Sequence, residues 1–202
     1  MSMSIARFLA AGALMAPLMA NAVVYQFNAG LNSANEVGTG STTAATGVAT
    51  LFYNDLGTAT FDDDRYDFSM SVFGLSGGAV AGTAATMFHI HGPASTTENG
   101  PVRVFLDGPL FLSLNEGSTL LVGGSAIAPP VIAGTTFLDM LQGGLAYVNV
   151  HTALNPGGAV RGQLIQVAAV AAVPEPETYA MLLAGLGLVG AVARRRKTKA
   201  AH

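Results

Sequence analysis

The sequence has no cysteine and no tryptophan, and only 10% of its 202 residues are charged. Without cysteine the chain forms no disulfide, no thiolate metal site and no cysteine nucleophile. Positive charge is scarcest in residues 23–173, where three arginines stand against ten acidic residues, a net charge of −7. An acidic segment of this kind does not attract a phosphate backbone, so nucleic-acid binding is not expected.

The first 22 residues contain the three regions of a secretory signal peptide. Arg7 is followed by the apolar run 8–19, and residues 20–22 read Ala-Asn-Ala, a small-x-small cleavage site. We therefore expect export, with cleavage after Ala22. A buried helix is the alternative interpretation of the apolar run, but it leaves the cleavage site unexplained.

The tail combines a structure-breaking motif, an uncharged stretch and a cluster of cations. These are Pro174, Glu175 and Pro176; residues 178–193; and Arg194, Arg195, Arg196 and Lys197. Sixteen helical residues span roughly 24 Å, a little less than the ~30 Å hydrocarbon core, and interfacial arginines cover the difference. The positive end predicts that the tail ends in the cytoplasm and that the body lies outside the inner membrane.

This tail resembles the PEP-CTERM sorting signal. The resemblance implies that an exosortase-type enzyme removes the tail after transient anchoring in the inner membrane. It also implies delivery to the cell surface or to extracellular polysaccharide. The alternative, a C-terminal core helix, has to expose four adjacent cations without acidic partners. The predicted divisions are a signal peptide (1–22), a body (23–170) and a sorting tail (171–202).

The body alternates strand-like segments with turns rich in glycine and proline. Tyr66, Phe68, Met70 and Val72 alternate with polar residues, as in a half-buried strand. The other predicted strands are residues 23–31, 47–53, 58–61, 87–91, 101–106, 110–114, 119–122, 145–152 and 160–167. One helix is predicted over 136–142, capped by a threonine, and the aspartates 62–64 are expected at a solvated hairpin tip. Strands without alternating helices predict an all-β antiparallel sandwich or barrel.

Three histidines are the most informative chemical feature of the body. His89 and His91 are separated by one residue, so on a strand their side chains share a face about 7 Å apart. His151 ends another predicted strand, and this arrangement suits one copper or zinc ion. The alternative is a metal-free set of histidines that contact loop backbone. Arg161 either supports such a site and guides an anion to it, or clamps backbone carbonyls.

Four sequence blocks resemble the chordin-type (CHRD) domain over roughly residues 25–166. They read FHIHGPA at 88–94, NGPV at 99–102, YVNVHT at 147–152 and PGGAVRGQL at 156–164. Asn35-Glu36-Val37 matches the opening of the family, although Gly38-Thr39 replaces the usual proline pair. The resemblance implies a secreted, Greek-key, immunoglobulin-like β-sandwich. No catalytic set is evident, so a structural or binding module is the leading hypothesis.

The order of His89, His91, His151 and Arg161 is also similar to copper-zinc superoxide dismutase, which takes two copper ligands from a His-x-His strand. The body lacks a bridging histidine, a zinc loop and the disulfide of that enzyme, so a complete dismutase site is not expected. A mononuclear three-histidine site for copper or zinc and a metal-free vestige of one both remain open.

The tail yields the first prediction. Replacing Arg194, Arg195, Arg196 and Lys197 by glutamine removes the charge that fixes orientation, so the unprocessed protein should accumulate. Immunoblots of membrane and surface fractions measure this, with Lys199→Gln as the matched control outside the cluster. Normal processing and surface delivery of the cluster variant would contradict the sorting hypothesis.

Overall fold

The computed structural model describes residues 22–38, 41–132, 134–171 and 181–190. The predicted signal sequence before residue 22, the Pro-Glu-Pro motif at 174–176 and the basic cluster at 194–197 lie outside these residues. Residues 181–190, within the uncharged stretch of the tail, form a helix with exposed side chains. In the described parts of the chain, no helix is long and apolar enough to cross a membrane.

The described part of the body is mostly β-strand, as the sequence predicts. The strands are β1 (Val23–Asn32), β2 (Thr46–Asn54), β3 (Arg65–Phe73), β4 (Met87–His91), β5 (Val102–Phe105), β6 (Phe111–Glu116), β7 (Thr119–Ile127), β8 (Tyr147–His151), β9 (Val160–Gln163) and β10 (Ile165–Ala171). A 3-10 turn (Ser33–Asn35) follows β1, and the helix α1 (Phe137–Gln142) precedes β8.

All ten strands belong to one antiparallel sheet that curls around a core. The order is β5-β4-β8-β9-β1-β2-β3-β7-β6, and β10 also pairs with β1. Strands β9 and β10 both run along β1: Arg161 pairs with Asn32, and Ile165 pairs with Asn28. Strand β1 therefore joins the site-bearing half of the sheet, β5-β4-β8-β9, to the other half.

The strand alternation that the sequence predicts defines the core. Tyr66, Phe68, Met70 and Val72 of β3 are all at most 3% exposed, while Asp67 and Ser69 face outward. On β4 and β8 the core residues are Phe88, Ile90, Val148 and Val150. Burying side chains of this size stabilises the fold by about 1.5–3 kcal/mol each. The residues between these core positions on β4 and β8 lie on the opposite face of the sheet, outside the hydrophobic core.

The predicted helix is confirmed, and its start has a clear cause. Thr136 accepts a hydrogen bond from the backbone N–H of Asp139, and the Asp139 carboxylate accepts one in return from the N–H of Thr136. This reciprocal capping satisfies two backbone donors that otherwise have no partner at a helix start. Phe137, Met140 and Leu141 are then buried in the core, where the ring of Phe137 packs against Tyr53 and Tyr66.

Two predicted strands are wrong in detail. Residues 58–61 lie in the loop between β2 and β3, where the hydroxyls of Thr58 and Thr60 donate to the carboxylate of Asp63. These hydroxyls bind locally, so the segment does not join a ladder. Residues 160–167 belong to two strands and not one, because the strand is interrupted at Leu164, whose side chain is fully buried.

The aspartate triplet also differs from the prediction of a solvated tip. Asp62 is exposed, but Asp64 is 3% exposed and accepts a hydrogen bond of 2.6 Å from the hydroxyl of Tyr53. Burial raises the pKa of Asp64 above its usual range. The last aspartate therefore anchors the loop to the core, and only the first part of the triplet is a solvated tip.

Candidate metal centre

Strands β4 and β8 are neighbours in the sheet, and their alternation positions the three histidines. Because Phe88 and Ile90 enter the core, His89 and His91 lie on the other face of β4. His151 lies on the same face of β8, since Val148 and Val150 are its core residues. The three imidazoles therefore share one side of the sheet, away from the hydrophobic core.

The three imidazoles converge in space. The centroid of the His89 ring lies 5.4 Å from the centroid of His91 and 5.4 Å from that of His151. The centroids of His91 and His151 are 6.0 Å apart. One ring nitrogen from each residue lies within 4.8 Å of the others. Zinc bound at 2.0–2.1 Å holds its nitrogen ligands about 3.4 Å apart, so inward shifts of roughly an ångström bring these nitrogens around one ion.

Loops bury the cluster on the outer face of the sheet. His89, His91 and His151 are only 4%, 9% and 8% exposed. The covering loop, residues 92–101, begins directly after His91 at Gly92, which has a φ of +144°. A side chain at Gly92 would also collide with the carbonyl of Leu145. Glycine is therefore required where the chain leaves β4 and enters the loop whose Gly100 bonds to His91.

Hydrogen bonds fix the tautomers of two of the rings. Nδ1 of His91 lies 3.0 Å from the carbonyl oxygen of Gly100, and Nδ1 of His151 lies 3.0 Å from that of Pro156. A carbonyl only accepts, so each Nδ1 carries the proton and each Nε2 keeps a free lone pair. Metal-binding histidines are held in this way, with one nitrogen bonded to the protein and the other aimed at the ion.

The remaining ring nitrogens are buried and unpaired. Both nitrogens of His89 and the Nε2 atoms of His91 and His151 have no hydrogen-bond partner among the described residues. A buried polar atom without a partner costs about 1–3 kcal/mol. Each neutral ring therefore has one lone pair that is not used among the described residues, and three such lone pairs close together are a donor set that can hold a metal ion.

Burial also keeps the rings neutral. It lowers the pKa of His89 to about 4, with a smaller effect from the charges of His151 and His91. Burial lowers the pKa of His91 and of His151 as well, while their carbonyl hydrogen bonds oppose the shift. At neutral pH each ring therefore has one protonated nitrogen and one nitrogen with a free lone pair, which is the form that binds a metal.

Aromatic rings surround the cluster. Phe105 of β5 meets His89 edge to face at 5.1 Å, and Tyr147 stacks on His91 at 5.0 Å with an interplanar angle of 12°. The guanidinium carbon of Arg161 lies 3.5 Å from the centre of the Tyr147 ring, on which it stacks. These ring contacts hold His89 and His91 against their neighbours on the outer face of the sheet.

Arg161 clamps the covering loop to the sheet. The side chain is 1% exposed and donates to the carbonyl oxygens of Ser95 at 2.8 Å and Glu98 at 2.9 Å. It also donates to the side chain of Asn99 at 3.1 Å. A guanidinium bound in this manner holds the loop in place. It also stacks on Tyr147, the ring that packs on His91. These are the backbone contacts that the clamp interpretation predicts, and the anion-guiding role stays a prediction.

The half-buried carboxyl of Glu36 lies beside the cluster. Asn149, which pairs with His89 across the strands, donates a 3.4 Å hydrogen bond to Glu36. Burial raises the pKa of Glu36 to about 7, although the charge of Arg161 and the bond from Asn149 lower it. Gly158, with a φ of +141°, lets the backbone approach this carboxyl, since any side chain there would collide with it.

Comparison with family models assigns the chain. The model of the CHRD domain matches residues 27–164, more than half of the sequence. The chain belongs to the CHRD domain family. The matched range of this CHRD protein contains the three histidines, Arg161 and the covering loop. A second model, the PEP-CTERM protein-sorting motif, matches residues 172–197. Comparisons with curated proteins and with solved structures find no match.

Residue spacing in the CHRD domain singles out the three histidines and Arg161 but not the residues that surround them. Tyr147 and Asn149 lie four and two residues before His151, so strand alternation alone places them on the same face. Glu36 falls within the opening block of the family resemblance. Phe105 had no such signal, because its contact with His89 depends on the pairing of β5 with β4.

The clamp gives a prediction for stability. Arg161→Lys keeps the charge but cannot span both loop carbonyls and stack on Tyr147, so the free energy of unfolding should fall by about 2–4 kcal/mol. Urea unfolding measures the loss. The exposed Arg65→Lys is the matched control and should change stability by less than about 0.5 kcal/mol. Equal small effects of both substitutions would contradict the clamp.

Proposed function

We propose that this CHRD protein is an exported module that binds one copper or zinc ion through His89, His91 and His151. The observation that carries the proposal is the convergence of buried imidazole nitrogens that have no hydrogen-bond partner among the described residues. In the proposed complex Nε2 of His91 and of His151 binds the ion, and His89 supplies either of its two free nitrogens.

The chemistry of the donor set supports copper or zinc over the hard cations. Neutral imidazole suits zinc, copper, iron and nickel, whereas calcium and magnesium require oxygen ligands. No carboxylate joins the three histidines in the described cluster. Three nitrogen ligands complete all but one position of a tetrahedral site.

The module is proposed to be non-enzymatic. All three histidines of residues 23–173 belong to the cluster, which leaves no further histidine in that range to act as a general base. The similarity to superoxide dismutase is limited to the His-x-His strand and the order of the residues. We therefore assign the ion a binding or structural role in a surface module, with dismutation as the competing activity.

The two family matches together support an exported protein that an exosortase-type system sorts. Beyond this, we propose cleavage after Ala22, transient anchoring of residues 178–193 in the inner membrane, and release to the cell surface or its polysaccharide. The body is proposed to be a Greek-key, immunoglobulin-like sandwich within residues 23–170. These finer steps follow from the sequence motifs and from the resemblance.

Metal titration tests the proposed site. The purified full-length chain, stripped of metal with a chelator, should bind one equivalent of zinc or copper by calorimetry and elemental analysis. His151→Ala removes one of three ligands and should weaken binding at least about 100-fold. At a free metal concentration 100 times the dissociation constant, the wild-type protein should gain about 2.7 kcal/mol of stability.

His202→Ala is the matched control, since His202 is the one histidine outside residues 23–173. This variant should bind metal as the wild-type protein does. Binding of well under one equivalent by the wild-type protein, or equal binding by His151→Ala, would overturn the proposal.

A further inference from the structure

A methionine lies beside the three histidines and on the same side of the sheet. Met87 begins β4, two residues before His89, and the residue between them, Phe88, enters the core. Strand alternation therefore gives Met87, His89 and His91 one common face. A thioether is a metal ligand, so the position of this side chain bears on which ion the site selects.

Strand pairing brings the same methionine next to the third histidine. Met87 pairs directly with His151 across β4 and β8. Directly opposite side chains on one face have Cβ atoms about 4.5–5.5 Å apart. Met87 is thus flanked by His89 along its own strand and by His151 across the ladder, and its three rotatable side-chain bonds allow the sulfur to turn toward either.

Exposure distinguishes this methionine from its neighbours. Met87 is 45% exposed, whereas the three histidines are at most 9% exposed. It therefore lies at the solvent side of the cluster, and Tyr147 and Phe105 pack on the rings of His91 and His89. The fourth position that three histidines leave open can be filled from this side.

We infer that Met87 supplies the fourth ligand and makes the centre a copper site that is selective for Cu(I) over zinc. This inference rests on the proposed function of the three histidines. Soft thioether ligands select Cu(I), and imidazole accepts both copper and zinc. A neutral set of three nitrogens and one sulfur also suits a monovalent ion, which needs no carboxylate to balance its charge. The exposed thioether is the first ligand that an incoming ion meets.

Competition titrations with the full-length chain test this selectivity. Cu(I), supplied without oxygen against a chelating dye, and Zn(II), against a second dye, give an affinity for each ion. Met87→Leu should weaken Cu(I) binding at least about tenfold and change zinc binding by less than about twofold. X-ray absorption at the copper edge should show a sulfur neighbour in the wild-type protein and none in this variant.

Two further variants make the result specific. Met87→Gln keeps the length of the side chain but replaces the sulfur with a hard amide, and it should behave like Met87→Leu. Met181→Leu changes an exposed methionine in the tail helix and should leave both affinities unchanged.

The outcomes separate this inference from the proposed function. If zinc and Cu(I) bind, the Met87 variants match the wild-type protein and no sulfur neighbour appears, the thioether ligand is refuted and the three-histidine site stands. If the wild-type protein binds neither ion, or His151→Ala binds both as tightly as wild type does, the proposed function fails and this inference fails with it.

Discussion

The buried guanidinium of Arg161 is the interaction on which the arrangement of the site depends. It ties the carbonyls of Ser95 and Glu98 to β9, and so keeps the covering loop closed over the outer face of the sheet. From that loop the carbonyl of Gly100 fixes the ring of His91. The same guanidinium stacks on Tyr147, the ring that packs on His91. One side chain thus holds both the loop that bonds to His91 and the aromatic ring that stacks on it.

The two faces of β4 and β8 have different roles. One face contributes to the hydrophobic core, and the other carries the three histidines. Phe88, Ile90 and Val148 contribute to the hydrophobic core, and the intervening residues of β4 and β8 form a polar layer beneath loops. That layer has a cost, because unpaired buried nitrogens destabilise the metal-free protein. An ion that binds only the folded chain offsets the cost through its binding free energy. If the three histidines bind metal as proposed, folding and metal binding are therefore coupled.

The sequence predicted the all-β class, α1, most strands and the proximity of the three histidines, since period-two alternation and turn residues are local signals. It failed at residues 58–61 because threonine hydroxyls bind locally to Asp63. It failed at Asp64 because the partner hydroxyl, on Tyr53 of β2, is eleven residues away along the chain. The contact of Phe105 with His89 and the pairing of Met87 with His151 depend on register between strands, which no local pattern encodes.

The central claim is that two of the imidazoles are neutral, with free Nε2 lone pairs, before any metal binds. Long-range proton–nitrogen NMR spectra of the metal-free protein measure this directly for His91 and His151. The account predicts the Nδ1–H tautomer for both at pH 7, and on addition of zinc a shift of the Nε2 resonances as those atoms bind the ion. An Nε2–H tautomer or a doubly protonated ring at pH 7 in either residue would contradict it.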